Sequence, residues 1–284
     1  LASSLLAGLH VVTMALNLPG PAACSRLRDL GASVVKVEPP RGDPMELYCP
    51  AWYARLHDDI AVRKLDLKEE ADRRAMDELL LRADLFVTAQ RPSALARLGL
   101  GAGALAERFP KLCHVAITGH PPPDEEVPGH DLTYLAQAGL LTPPTLPATL
   151  YADMAGAERA VSTALALIIA RDRRRPSQAA YVPLSDAANW LALPRDYGLT
   201  TPGAMVGGAL AGYNIYAAKR GWVAVAALEP HFAAALAEAF GFERLTIDRA
   251  ATVFATEDAD HWEAWARPRD LPIVALRTAS LPES

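Results

Sequence analysis

A chain of 284 residues can bury one large core or two smaller ones. Its 51% hydrophobic and 21% charged residues are those of an ordinary globular protein, and a net charge of −5 argues against nucleic acid as the main partner. Cys24, Cys49 and Cys113 are scattered without a CxxC pair, which fits a reducing cytoplasm and gives no zinc signature, so no metal is expected.

The opening LASSLLAGLHVVTMAL resembles the apolar part of a secretory signal, but it lacks a basic leader and runs on into NLPGPAACSRLRDLGA, which reads as folded protein. Ala22 to Leu30 has helical spacing and Gly31 stops it; Val34 to Val37 is β-branched and reads as a strand. This strand–helix–strand start is the grammar of a parallel α/β sheet. A short strand is expected at Leu65 to Leu67, an amphipathic helix at Glu69 to Arg82, strands at Leu85 to Val87 and Cys113 to Ile117, and helices at Pro92 to Leu98 and Gly103 to Phe109. The proline-rich His120 to Pro128 is a loop. Helices follow at Asp131 to Leu140 and Met154 to Ile169. The second is too short on its apolar side (Ala164 to Ala170) to span a bilayer, so no membrane contact is expected. Arg171 to Gln178 is a basic, proline-broken turn.

After Leu199 the texture changes. Glycines lead into two strands, Tyr213 to Tyr216 and Trp222 to Ala226, three short helices (Pro230 to Phe240, Leu245 to Phe254, Asp260 to Ala266) and a last strand, Ile273 to Leu276. The expected organisation is a large Rossmann-like α/β domain with a parallel sheet over residues 1–199 and a smaller α+β domain over 200–284.

Three motifs carry polar side chains into apolar, helical runs: GHDLTYL with His130, YADMAG with Asp153, and ALEP with Glu229. Moving a proton on and off a weakly acidic carbon next to a carbonyl needs a base on one face, an acid on the other and a donor for the enolate oxygen. His130 and Asp153 suit the two faces, Glu229 suits an orienting role, and the backbone N–H of Met154 or Ala155 suits the enolate. Each residue also has a purely structural reading. Asp131 and Asp153 are common helix caps by type and place, and Glu229 before Pro230 is a common helix start.

Several segments together resemble the class III CoA-transferase family, in its α-methylacyl-CoA racemase-like branch. They are LPGPAACSRLRDLGASVVKVEPPRGDP (Leu18 to Pro44), Leu65 to Gly101, GHDLTYLAQAG, YADMAGAERA, Gly212 to Phe232 and His261 to Leu276. The resemblance implies acyl-CoA or CoA as partner, coenzyme A entering only as part of the substrate with no separate cofactor, and a homodimer of interlocked rings. It implies that Lys36 and Arg91 lie near CoA. It also implies that the residues matching His130 and Asp153 exchange the α-proton with support from Glu229, or that Asp153 is the nucleophile of a CoA transfer. A third possibility is a CoA-binding protein that has lost catalysis. Two departures bear on activity: ARLHDDIAVRK stands where the family has a basic, asparagine-containing stretch, and RRRPSQAAYVP replaces a glycine-containing turn.

Overall fold

The computed structural model describes residues 4–174 and 178–277, so part of the basic Arg171 to Gln178 segment lies outside the described residues. The chain forms two compact units that divide after Ala192.

The first unit is a three-layer α/β/α sandwich. Its strands are β1 (His10–Thr13), β2 (Ser33–Glu38), β3 (Ala61–Lys64), β4 (Leu85–Thr88), β5 (Cys113–Thr118) and β6 (Ala179–Pro183). All pair in parallel, in the order β3-β2-β1-β4-β5-β6. This is the doubly wound order, with its reversal between β1 and β4. The apolar run near the N-terminus is thus the central strand.

Alternation along the strands builds both faces. Val11, Val34, Leu85, Val87, Val115 and Ile117 point to a core closed by α1 (Pro19–Asp29) and α8 (Tyr151–Asp172). Val12, Val37 and Phe86 point to the opposite core, closed by α4 (Glu70–Arg82), α5 (Pro92–Arg97) and α6 (Ala102–Arg108). Strands β4 and β5 are buried along their whole length, as inner parallel strands must be. Edge strand β3 is exposed throughout; it precedes the expected Leu65 to Leu67 segment. Two short helices, α2 (Met45–Tyr48) and α3 (Pro50–Leu56), fill the β2–β3 crossover, and α7 (Asp131–Gln137) precedes α8.

The direction of α8 matters for the site. Near its C-terminal end, Arg171 Nη1 donates to Asp84 Oδ1 at 3.0 Å and to the Lys111 carbonyl at 3.4 Å. Asp84 and Lys111 lie just before β4 and β5. The N-terminal end of α8 therefore lies at the carboxyl edge of the sheet, where ligands of doubly wound folds bind.

Helix α9 (Leu184–Asp196) contains the division between the units. The second unit has an antiparallel sheet, β7 (Tyr213–Ala217), β8 (Trp222–Ala226) and β9 (Ile273–Ala275), in that order. Helices α10 (Pro230–Ala239), α11 (Ile247–Phe254) and α12 (Ala259–Ala266) pack on one face around Phe254, Trp262 and Leu236. No helix among the described residues is long and apolar enough to cross a membrane.

Candidate active site

Gly129 lets the chain turn into α7: a Cβ there would come within 2.5 Å of the Tyr134 ring. His130 is the N-cap residue of α7, in extended conformation. Its N–H donates to Thr133 Oγ1 at 3.0 Å and its carbonyl accepts the Thr133 N–H at 2.8 Å. Its side chain is exposed.

The residue after it behaves differently. Asp131 is 3% exposed and does not cap its own helix. Its Oδ1 accepts the backbone N–H groups of Ala152, at 2.7 Å, and Asp153, at 3.1 Å. The N-cap position of α8 is Leu150, whose side chain cannot cap. Asp131 supplies the missing acceptor from outside and ties the start of α7 to the start of α8.

Asp153 is the third residue of α8, inside its first turn rather than before it. Burial, and then the negative charge of Asp131, push its carboxyl up to about 7 from an ordinary 3.8. A helix start favours a carboxylate, so here burial and the neighbouring acid outweigh the helix. Tyr134 is buried against this corner. Its phenol is raised to about 12, first by burial and then by the charge of Asp153.

The two expected backbone donors are both engaged within the helix. The N–H of Met154 donates to the Leu150 carbonyl at 3.0 Å, and Ala155, the fifth helical residue, belongs to the same i→i−4 ladder. With Asp131 holding the two N–H groups before them, the backbone donors of Ala152, Asp153, Met154 and Ala155 are all engaged.

Lys36, expected near CoA, lies inside the first unit. Its side chain is wholly buried and ion-paired to Asp43 and Glu38. Alternation along β2 leaves it facing inward under the β2–β3 crossover. Arg91, in contrast, is exposed, just after β4 at the carboxyl edge, as the N-cap residue of α5. In the divergent ARLHDDIAVRK stretch, Leu56 and His57 turn inward, and Asp58 and Asp59 form an exposed turn.

In the second unit Glu229 is the exposed N-cap residue of α10, with Pro230 at the first helical position. Its carbonyl accepts the Ala233 N–H at 2.9 Å. Among the described residues no group of three or more His, Cys, Asp or Glu side chains could hold a metal ion.

Sequence reasoning weighed Asp131 only as a helix cap and passed over Tyr48 and Tyr134. The one available signal for Asp131 was the apolar Leu150 at a helix start, which leaves a cap to be found elsewhere.

This geometry meets its relatives in one family. The profile of CoA-transferase family III matches residues 6–279, and the chain belongs to that family. Similar curated proteins include a cinnamoyl-CoA:phenyllactate CoA-transferase of Clostridium sporogenes, 33% identical over 49% of this chain and 37% of that protein. A probable fatty acyl-CoA transferase of Mycobacterium tuberculosis is 30% identical over 64% and 50%. Human alpha-methylacyl-CoA racemase is 31% identical over 60% and 45%. The chain thus spans half or less of the length of these relatives. Solved structures share the fold. A Mycobacterium tuberculosis protein superimposes with a TM-score of 0.83 at 23% identity, over 96% of this chain and 85% of that one. A CAIB/BAIF family protein from Brucella suis gives 0.78 at 23%, over 96% and 84%.

Proposed function

We propose that the chain acts on acyl-CoA thioesters and transfers the proton on the carbon next to the carbonyl, as a racemase or epimerase. The single observation that carries this is the Asp153 carboxyl, poised near 7 by burial and by Asp131. A group that both takes and returns a proton works best when its pKa lies near the working pH. Asp153 as base on one face and His130 as acid on the other invert the carbon; the reverse reaction exchanges their roles. The backbone supports the pairing, since His130 adjoins the residue whose carboxylate holds the Asp153 N–H. Arg91 at the carboxyl edge binds a phosphate of CoA. Relatives named as a racemase and as acyl-CoA transferases support the substrate class.

The second reading is CoA transfer between an acyl-CoA and a carboxylic acid. Asp153 attacks the thioester carbonyl to form an acyl anhydride and releases CoA thiolate, which attacks the aspartyl carbonyl, expels the donor carboxylate and leaves an aspartyl-CoA thioester; the acceptor carboxylate then displaces the thiolate to form a second anhydride, and the thiolate attacks its acyl carbonyl, giving the new acyl-CoA and free Asp153. The number of relatives named as CoA-transferases favours it. Incubating the protein with 2-methyldecanoyl-CoA in deuterium oxide separates the two. Incorporation of deuterium at the α-carbon without a second acid supports proton transfer, and CoA trapped on Asp153 with no exchange overturns it.

We also propose a homodimer in a cytoplasmic setting. The outer face of the second unit's sheet supports association, because Ile215, Trp222 and Val274 are each more than half exposed there.

A further inference from the structure

A lysine ammonium out of reach of water needs an acceptor for each of its three N–H groups. Lys36, in the middle of β2, has them: Asp43 Oδ2 at 2.5 Å, His57 Nε2 at 2.8 Å and Glu38 Oε1 at 3.1 Å. Accepting at Nε2 fixes His57 as the neutral tautomer with its proton on Nδ1, which donates to the Tyr53 carbonyl at 2.6 Å. Burial first, and Lys36 second, hold that imidazole below its ordinary range. Tyr53 lies over the same group and donates its hydroxyl to Glu38 at 2.8 Å.

Asp43 carries the arrangement outward. Both its oxygens face the N–H of Asn17 at 3.1 Å, and Oδ1 accepts the N–H of Met45, the first residue of α2, at 3.0 Å. One carboxylate, gripped from beneath by Lys36, therefore fixes a loop and a helix together. Asn17 is held at a φ of 64°, a left-handed conformation that asparagine tolerates better than most residues. Tyr48, the last residue of α2, closes the ring by donating its hydroxyl to Asn17 Oδ1 at 3.1 Å. Asn17 lies in the loop after β1, at the carboxyl edge where Asp153 also lies. Tyr48 is largely exposed; partial desolvation of its hydroxyl and then the charge of Asp43, with Asp153 contributing, raise its phenol.

We propose that Lys36 and His57 are positioning residues for the site around Asp153: through Asp43 they fix Asn17 and Tyr48 at its mouth. Without the His57 acceptor one buried N–H of Lys36 is orphaned; the ammonium shifts to recover a partner, Asp43 turns with it, and the Asn17–Tyr48 contact loosens. The catalytic consequence rests on the acyl-CoA reading of Asp153. The mechanical consequence does not.

The test places 3-fluorotyrosine at position 48 of the full chain and compares wild type, His57→Leu and His57→Gln by fluorine NMR and by turnover of 2-methyldecanoyl-CoA. Glutamine can both accept from Lys36 and donate to the Tyr53 carbonyl. His57→Leu should move the fluorine resonance and lower kcat about tenfold or more, with KM within about twofold; His57→Gln should bring both back to within about threefold of wild type. A folded His57→Leu protein with an unmoved resonance overturns the inference. So does a moved resonance with wild-type kcat. If the wild type turns over no acyl thioester, the functional reading falls and the resonance alone decides the positioning. If His57→Leu does not fold, Tyr48→Phe removes the last link at an exposed ring: a comparable drop in kcat supports the inference, and wild-type kcat overturns it.

Discussion

Asp131 accepts the backbone N–H of Asp153 at 3.1 Å while its charge presses on the Asp153 carboxyl. One side chain thus holds the backbone of the other and adds to the burial that raises its proton affinity. The two effects separate by mutation. Asp131→Asn keeps an acceptor oxygen but removes the charge, so the acid limb of the pH–rate profile, near 7 in the wild type, should move to lower pH with little loss of maximal rate. Asp131→Ala removes the cap as well and should cost about 1–2 kcal/mol of stability, measured by urea unfolding. A pH profile unchanged in Asp131→Asn would falsify the electrostatic half of this relationship.

Asp153→Asn should nearly abolish turnover, because either chemistry needs an ionised carboxylate. It should also stabilise the fold at alkaline pH. A carboxyl whose native pKa is raised from 3.8 to about 7 binds its proton more tightly in the folded state, so its contribution to stability falls as pH rises across that window. Replacement by the neutral amide should give a gain on the order of 1–3 kcal/mol above pH 8 that shrinks toward zero near pH 4. Thermal unfolding of both proteins across this range checks the sign.

His130→Ala distinguishes the two chemistries. Losing one of two proton-transfer groups should lower racemisation by about 10²–10⁴-fold. A transfer that uses only the Asp153 carboxylate should lose far less. Undiminished α-proton exchange on both faces in His130→Ala would remove the racemase assignment.

Arg91→Ala should raise KM for the acyl-CoA about tenfold with kcat nearly unchanged, the signature of a charge-assisted contact made equally in ground and transition states. Competition with 3′-dephospho-CoA locates the contact: if the lost affinity is the same for both ligands, Arg91 does not read the 3′-phosphate.

Much of the fold could be read before any coordinates. The β-branched run at Val34 to Val37, the apolar segments at β4 and β5, and the small-unit strands lie where their patterns place them, because each is buried on at least one face and carries that burial in its composition. Strand β3 was missed because an exposed edge has no apolar signature; Ala61, Arg63 and Lys64 reveal little. Helix α9 was hidden by Pro194 in its last turn, and α2 and α3 by Pro44 and Pro50 at their starts. Asp153 was placed ahead of its helix because an aspartate is a better cap than Leu150 by type. The real cap comes from Asp131, twenty-one residues away in sequence, and local chemistry cannot announce so distant a partner. The resemblance implies that Lys36 lies near CoA, and nothing local in VVKVE announces that the β2–β3 crossover folds over it and makes it internal.

The bridge from Asp131 to the first turn of α8 also closes a loop. Everything between, residues 132–151, leaves and returns at a single carboxylate, like a handle fixed at both ends to one bolt. The entropic cost of lengthening such an excursion grows only slowly with its length. Insertions around 139–149 should therefore be absorbed without moving His130 or Asp153. That gives the fold a place where the surroundings of the site can be rewritten while the chemistry stays anchored.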